Sequence, residues 1–204
     1  MVRGEQINLM KKKIALFGAG GHAVSCIDVI ETEKKYKIDC ILDKYSNKKY
    51  LGKYKVIKEN DINIEKLKKR KIFNIVICIG QIKTSKVRKE LFNKFKKKGF
   101  NFPVIKSPRS IVSKKSLIEE GSVIFHNTTI NAGAHIGKNC IINSSSLIEH
   151  GVKIGNNSHV ATGVIINGDC NIGRDTFIGS GSIVKQGIKL KPKSFVKMGS
   201  LVKK

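Results

Sequence analysis

The chain has no tryptophan, three prolines, and aromatic residues at only 6% of its 204 positions. Its basic residues are not interleaved with aromatics, so it lacks the stacking platform that single-stranded nucleic acids need. Acidic residues are also scarce: 15 Asp and Glu stand against 40 Lys and Arg, for a formal net charge of +25. The arginines are Arg3, Arg70, Arg88, Arg109 and Arg174, so the excess is almost all lysine. This reads as a solvated lysine-rich surface with no nucleic-acid partner, whose positive field steers anionic small molecules such as nucleotides. No apolar run approaches the roughly 20 residues of a membrane span, which argues against a membrane partner. The stretch Ile14 to Phe17, after Lys11 to Lys13, is too short for a secretory core. The cysteines (Cys26, Cys40, Cys78, Cys140, Cys170) are odd in number and none is in a CxxC pair. They read as reduced thiols of a cytoplasmic protein, with no disulfide frame and no metal site. Residues 1–10 have no pattern and read as a disordered or appended leader.

From Val112 to Val202 every sixth residue is aliphatic, sixteen times without a slip. Four residues after each, the side chain is usually small, as at Ser122, Thr128, Cys140, Ser146, Cys170 and Ser182. Neither helical nor simple strand periodicity gives a repeat of six. It is the signature of a parallel β-helix, in which three hexads make one coil of 18 residues. Residues 18 apart then stack about 4.8 Å from each other. Ala132, His150 and Gly168 form one column, and Gly133, Gly151 and Asp169 the next. Asn131, Glu149 and Asn167 form a polar ladder, and Ile141, His159 and Phe177 another column.

Residues 11–106 read as a small Rossmann-like α/β domain, and residues 107–204 as the all-β repeat domain. Lys13 to Phe17 predicts a buried strand. It leads into Gly18-Ala-Gly-Gly-His-Ala23, a helix through about Ile30, and a second strand, Ile38 to Leu42, ending at Asp43. The glycines match G-x-G-x-x-A, a turn that brings backbone N–H groups and a helix N-terminus against phosphate. Two readings stand: a nucleotide loop, or glycines that simply make the turn. Residues 44–71 are polar, with Tyr45, Tyr50, Leu51, Tyr54 and Ile57 as points of attachment. A third strand spans Phe73 to Ile79 and runs into Gly80. A lysine-rich helix from about Thr84 to Lys98 stops at Gly99. Phe100 to Ile105 reads as a fourth strand, and Pro108 to Ser110 as a hinge. The domain is too short for two mononucleotide halves. It suits one nucleotide rather than NAD.

The histidines are His22, His126, His135, His150 and His159. His126 and His135 read as solvated side chains. His150 has Ala132 and Gly168 as stacked neighbours, which leaves a notch beside its ring. A neutral imidazole there can act as a general base. A surface histidine at a turn fits the same residues.

The segment Asn143 to Val160 reads N-S-S-S-L-I-E-H-G-V-K-I-G-N-N-S-H-V. It resembles the active-site stretch of NeuD/PglD-type sugar acetyltransferases, whose pattern is N-[ST]-x-[SA]-x-[IV]-E-H-[DE]-x-x-I-G-x-x-x-H-[IV]. Those proteins also carry a GA-x-GHA-like loop on a small Rossmann-like domain, so the resemblance spans Lys13 to Val202. It implies a left-handed β-helix, against the usual right-handed crossover, and a homotrimer with active sites between subunits. It implies an acetyl-CoA-dependent N-acetyltransferase for a nucleotide-linked 4-amino sugar, in surface glycan or nonulosonic acid synthesis. An O-acetyltransferase for sialic-acid-type sugars is the alternative, and a non-catalytic nucleotide-sugar-binding solenoid a second. The resemblance makes His150 the general base and Asn143 a polar contact nearby. It places His159, Gly168 and Ser180 along acetyl-CoA, and Gly20, Gly21, His22, Ala23, Asp43 and Gly80 around the nucleotide sugar. No metal is implied. A γ-type carbonic anhydrase is disfavoured, because His126, His135, His150 and His159 lack the spacing its metal needs. Two departures stand out. Gly151 replaces the acid that usually follows the base; Asp169, one coil above, is expected to substitute for it, with Glu149 or a neighbouring subunit as alternatives. The G-[VN]-P-A-K-like tail is replaced by Met198 to Lys204, still in repeat register.

Overall fold

The computed structural model describes residues 11–204. The expectation for the leader therefore lies outside the described residues. The first domain opens with β1 (Lys12–Phe17), α1 (Gly21–Glu33) and β2 (Tyr36–Asp43). It continues with β3 (Tyr50–Leu51), β4 (Tyr54–Lys58), α2 (Asp61–Lys69), β5 (Asn74–Ile77) and α3 (Lys86–Lys97). The sheet order is β3-β4-β2-β1-β5. β1, β2, β4 and β5 pair in parallel, and β3 turns back on β4. Ile14, Leu16, Ile75, Val76 and Ile77 are buried, as befits strands covered on both faces.

The segment after β2 is more ordered than its composition suggests. It holds the β3–β4 hairpin and α2, whose start is capped by the Asn60 side chain accepting from the Asn63 N–H at 2.8 Å. Leu51 and Tyr54 attach it to the core as expected. Ile57 does the same on the other face of the sheet. Tyr45 and Tyr50 do not, being 80% and 60% exposed. The expected fourth strand also fails. Asn101 makes one isolated bridge to Asn74, and β6 (Ile105–Lys106) instead pairs with Val123 and Ile124 of the repeat domain. Pro103 cannot donate to a ladder, which breaks the strand there. Residues 108–110 form the first corner of the solenoid rather than a hinge, with the Ser110 N–H donating to the Ser107 carbonyl at 3.1 Å.

From β6 onward the chain winds as a three-sided prism of two-residue strands, each paired in parallel with the strand 18 residues on. The first face begins at Ile105, the second at Ile111 and the third at Leu117. All sixteen ladder positions are the second residue of their strand, and most are buried in a single core. A left-handed backbone conformation recurs every sixth residue from Gly121 to Gly199, at Gly, Asn, Asp, Ser or Lys. These are the corners, where glycine and short polar residues tolerate positive φ best. The small residues close the corners from inside. Ser122, Ser146 and Ser182 donate to carbonyls of the next coil at 2.7, 2.9 and 2.9 Å. Cys140 and Cys170 make the same link through sulfur to the Gly155 and Lys185 carbonyls. Their repeat position explains them, without any disulfide.

The two domains share one core. Ala23, Cys26, Val29 and Ile30 of α1 pack with Ile105, Val123, Phe125 and Ile141 of the first face. Moving up that face, the outer column is covered through His159, partly covered at Phe177 and 53% exposed at Phe195.

Candidate active site

His150 sits at the corner between the second and third faces. Gly168 stacks on it, and a Cβ there would lie 2.5 Å from His150 Cε1 and 2.6 Å from Nε2. Only glycine leaves the imidazole this orientation. The next residue, Gly151, is equally constrained: a Cβ would lie 2.3 Å from Asp169 Oδ1. Asp169 is itself a corner residue, with φ +59° and its N–H on the His150 carbonyl at 2.9 Å. Its carboxylate fills the space a side chain at 151 would occupy, and Oδ1 lies 3.8 Å from His150 Nδ1. Glu149 is engaged elsewhere, accepting from Asn131 Nδ2 at 2.9 Å and the His150 N–H at 3.3 Å.

The β1–α1 turn forms the second part. Gly18 has φ +108°, and a Cβ there would strike Ile79 at 2.8 Å. Asp43 Oδ2 accepts the Ala19 N–H at 2.8 Å, and Oδ1 accepts those of Tyr45 and Ser46 at 2.8 and 2.7 Å. Burial would raise the Asp43 pKa, but these N–H groups and Lys58 hold it below the usual carboxylate range. Asp43 thus ties the turn to the end of β2. α1 starts at Gly21 with no side-chain cap and no acid in its first turn. Around Gly20 and Gly21 a Cβ would meet nothing within 4 Å. The Lys48 ammonium reaches the Ala19 carbonyl at 3.4 Å. Free N–H groups, a helix N-terminus and a nearby cation suit a phosphate. Ala23 is buried beneath the turn in the shared core.

The segment after β5 joins the two parts. Gly80 lies against the His22 ring, 3.7 Å from where a Cβ would stand. The Gln81 carbonyl accepts from His159 Nδ1 at 2.6 Å, and its amide donates to the Asn157 carbonyl at 2.5 Å. His159 is 7% exposed and meets Phe177 edge-on at 5.3 Å. Burial above all, with His22 and Arg88 nearby, lowers its pKa to about 4, although the Gln81 carbonyl works the other way. His159 is a neutral imidazole with Nδ1 protonated. His126, expected in solvent, instead bonds Ser107 Oγ at 2.6 Å and Asp28 of α1 at 2.7 Å. His135 pairs with Glu119 at 2.7 Å.

The expected residues are thus divided within one chain. His150, Gly168 and Asp169 share the corner between the second and third faces. Asn143 and Ser180 lie at the corner between the first and second, and His159 lies on the first face under Gln81. Asn143 Oδ1 accepts the Ser144 N–H at 2.9 Å. Among the described residues no group of three or more His, Cys, Asp or Glu could hold a metal.

Residues 13–95 match the PglD N-terminal domain. Residues 106–203 match the GMPPB C-terminal domain. The whole chain is similar to a perosamine N-acetyltransferase from Caulobacter crescentus, solved as a histidine-to-asparagine mutant with CoA and GDP-perosamine. The TM-score is 0.85 at 24% identity, covering 92% of this chain and 86% of that one. The acetyltransferase domain of PglB from Neisseria gonorrhoeae, with acetyl coenzyme A, gives 0.87 at 23% identity, covering 95% and 91%. WeeI from Acinetobacter baumannii gives 0.51 at 17%, covering 95% and 97%. The resemblance to the NeuD/PglD type is borne out, as is the fold, a Rossmann-like domain followed by a left-handed β-helix. Two further residues carry the site without having stood out in the sequence, Gln81 and Arg88. Gln81 gave no signal. Arg88 did: with Phe92 and Phe95 it completes the buried stripe of α3, where its lysine neighbours face solvent.

Proposed function

We propose that this chain is an acetyl-CoA-dependent N-acetyltransferase acting on the amino group of a nucleotide-linked 4-amino sugar. The observation that carries the reading is His150 in the Gly168 notch with Asp169 beside it. The amine attacks the thioester carbonyl, and His150 Nε2 takes its proton as the C–N bond forms. Coenzyme A leaves as the thiol. Asp169, 3.8 Å from Nδ1, supplies a negative charge that stabilises the imidazolium, the task of the missing acid at 151. The open α1 N-terminus and Lys48 support binding of the diphosphate, with His22 and Gly80 beside it. The structures with CoA and GDP-perosamine support the substrate class. The place of action is the cytoplasm, in surface glycan or nonulosonic acid synthesis. Among the described residues no helix is long and apolar enough to cross a membrane.

The active form is a homotrimer, in line with the divided site. The outer column of the second face is apolar apart from Thr129: Leu147 and Ile165 are half-buried, and Ile183 and Leu201 above them are 39% and 57% exposed, with Ile111 at 71% below the threonine. Contiguous apolar surface of this kind marks an interface. This face lies between the corner of Asn143 and Ser180 and the corner of His150. Copies packed through it bring one subunit's Asn143 corner to its neighbour's His150. The Ile183→Lys variant is expected to run as a monomer by light scattering, keep its circular dichroism, and lose most turnover. A trimer with full activity would remove this assembly.

Acetyl-CoA with a panel of UDP- and GDP-linked 4-amino sugars and sialic acids, followed by thiol release, tests the activity. Release only with sialic acids would mean O-acetylation, and release with none would mean a binding protein. Asp169→Asn is expected to lower turnover about tenfold, some 1.4 kcal/mol in the barrier. Moving the acid back, in the double variant Gly151→Asp with Asp169→Gly, is expected to recover most of it. Unchanged turnover in Asp169→Asn would end the case for a relocated acid.

A further inference from the structure

Arg88 is 1% exposed, yet no carboxylate faces it; arginine ion pairs among the described residues are those of Arg70 and Arg174. Its guanidinium donates only to backbone carbonyls, and these come from both domains. Nη1 reaches Ile77 at 2.5 Å and Ile79 at 3.1 Å, at and just beyond the end of β5. Nε reaches Asn139 at 3.2 Å and Nη2 reaches Gly121 at 3.4 Å, both corners of the β-helix. An unpaired buried charge is costly unless its hydrogen bonds are satisfied. A planar fork can spread four bonds over two domains, which a lysine ammonium cannot reproduce.

The segment held this way is short and leads straight into the site. From Ile77 and Ile79 it runs to Gly80, against the His22 ring, and to Gln81, whose carbonyl takes the His159 Nδ1 proton. The same residues carry three buried polar atoms with no protein partner: His22 Nε2, His159 Nε2 and Gln81 Oε1. Such atoms are few in a folded protein and call for an explanation. With Nδ1 protonated, His159 Nε2 is a bare acceptor, as is Gln81 Oε1. Two acceptors without donors suit a bound water or a ligand carrying N–H or O–H groups, which an amino sugar and the amide arm of coenzyme A both have.

We infer that Arg88 is a positioning residue for the acetyl transfer. It fixes the 77–81 segment to the β-helix, and so sets the His159 tautomer and the place of Gly80 beside His22. It touches no substrate and acts through Gly80 and Gln81. The inference rests on the proposed activity but can be read apart from it.

The experiment uses the full chain as Arg88→Lys and Arg88→Gln, the second covering the case in which the first does not fold. In the parent chain, 15N spectra of the histidines are expected to show His159 as the neutral Nδ1–H form at pH 7, assigned with His159→Gln. In the variants this signal is expected to move to exchange-averaged tautomers. KM for the nucleotide sugar, which Gly80 and His22 are proposed to flank, is expected to rise about tenfold or more. Arg88→Lys is expected to recover less than half of the lost affinity, because charge alone does not rebuild the fork. A folded variant with the parent's His159 tautomer and the parent's KM for the sugar would overturn the inference. If the parent itself transfers no acetyl group, the proposed activity fails. The His159 spectra and calorimetric binding of the nucleotide sugar then still decide the role of Arg88.

Discussion

His150→Ala is expected to transfer acetyl groups about 10²–10⁴ times more slowly than the parent chain, the range for removing a general base. The fold should be untouched. The ring is 60% exposed at its corner, and its backbone carbonyl, not its side chain, carries the bond to the next coil. The loss should fall on kcat, since the proton moves only as the new bond forms. An amine acceptor must be neutral to attack, so raising the pH is expected to recover part of the variant's rate and not the parent's. Stopped assays with saturating acetyl-CoA measure this. A variant with the parent's kcat would remove the mechanism and leave the fold.

Gly155→Ala is expected to cost stability instead, about 3 kcal/mol or more, toward the upper end of overpacking effects. Its Cβ would lie 2.4 Å from the Arg174 backbone nitrogen, 2.8 Å from its Cα and 2.9 Å from the Gly173 carbonyl carbon. These are backbone atoms of the next coil and cannot swing aside. The Gly155 N–H also bonds the Ile172 carbonyl at 2.8 Å, so separating the coils would break the ladder. Urea unfolding followed by circular dichroism reads the shift, and a midpoint equal to the parent's would contradict it. The contrast with Gly168 is instructive. Both positions are crowded, but at Gly168 the obstacle is a side chain, the His150 ring. One glycine serves the scaffold and the other serves the site.

Much of this was legible in the residues because the β-helix is a strict ruler. The step of 18 placed Asp169 over Gly151 and Gly168 over His150 before any coordinates, and the geometry agrees. Residues 44–71 were opaque for the opposite reason. They have no repeat, and hairpin and helix there are set by packing of Leu51, Tyr54, Ile57, Ile64 and Leu67 against the sheet. His126 escaped because its partner, Asp28, is 98 positions away. Arg88 escaped because one charge among lysines looks solvated until the helical stripe is drawn. The division of the site between two corners was also hidden. Asn143 and His150 are seven residues apart in sequence, and only the turn from one face to the next separates them.

The burial of the cysteines has a practical side. All five are free and buried. Burial pushes Cys40 up to about 12 and Cys140 to about 11; Cys26 goes the other way, to about 5, chiefly through its hydrogen bond with Cys78, but with 0% exposure it is out of a reagent's reach. A chromogenic disulfide reagent added to the folded protein meets a nearly silent background. Colour that develops with acetyl-CoA and an acceptor then belongs to coenzyme A. In denaturant the same reagent counts the protein's own sulfurs as the coils come apart, so one dye reports both turnover and unfolding.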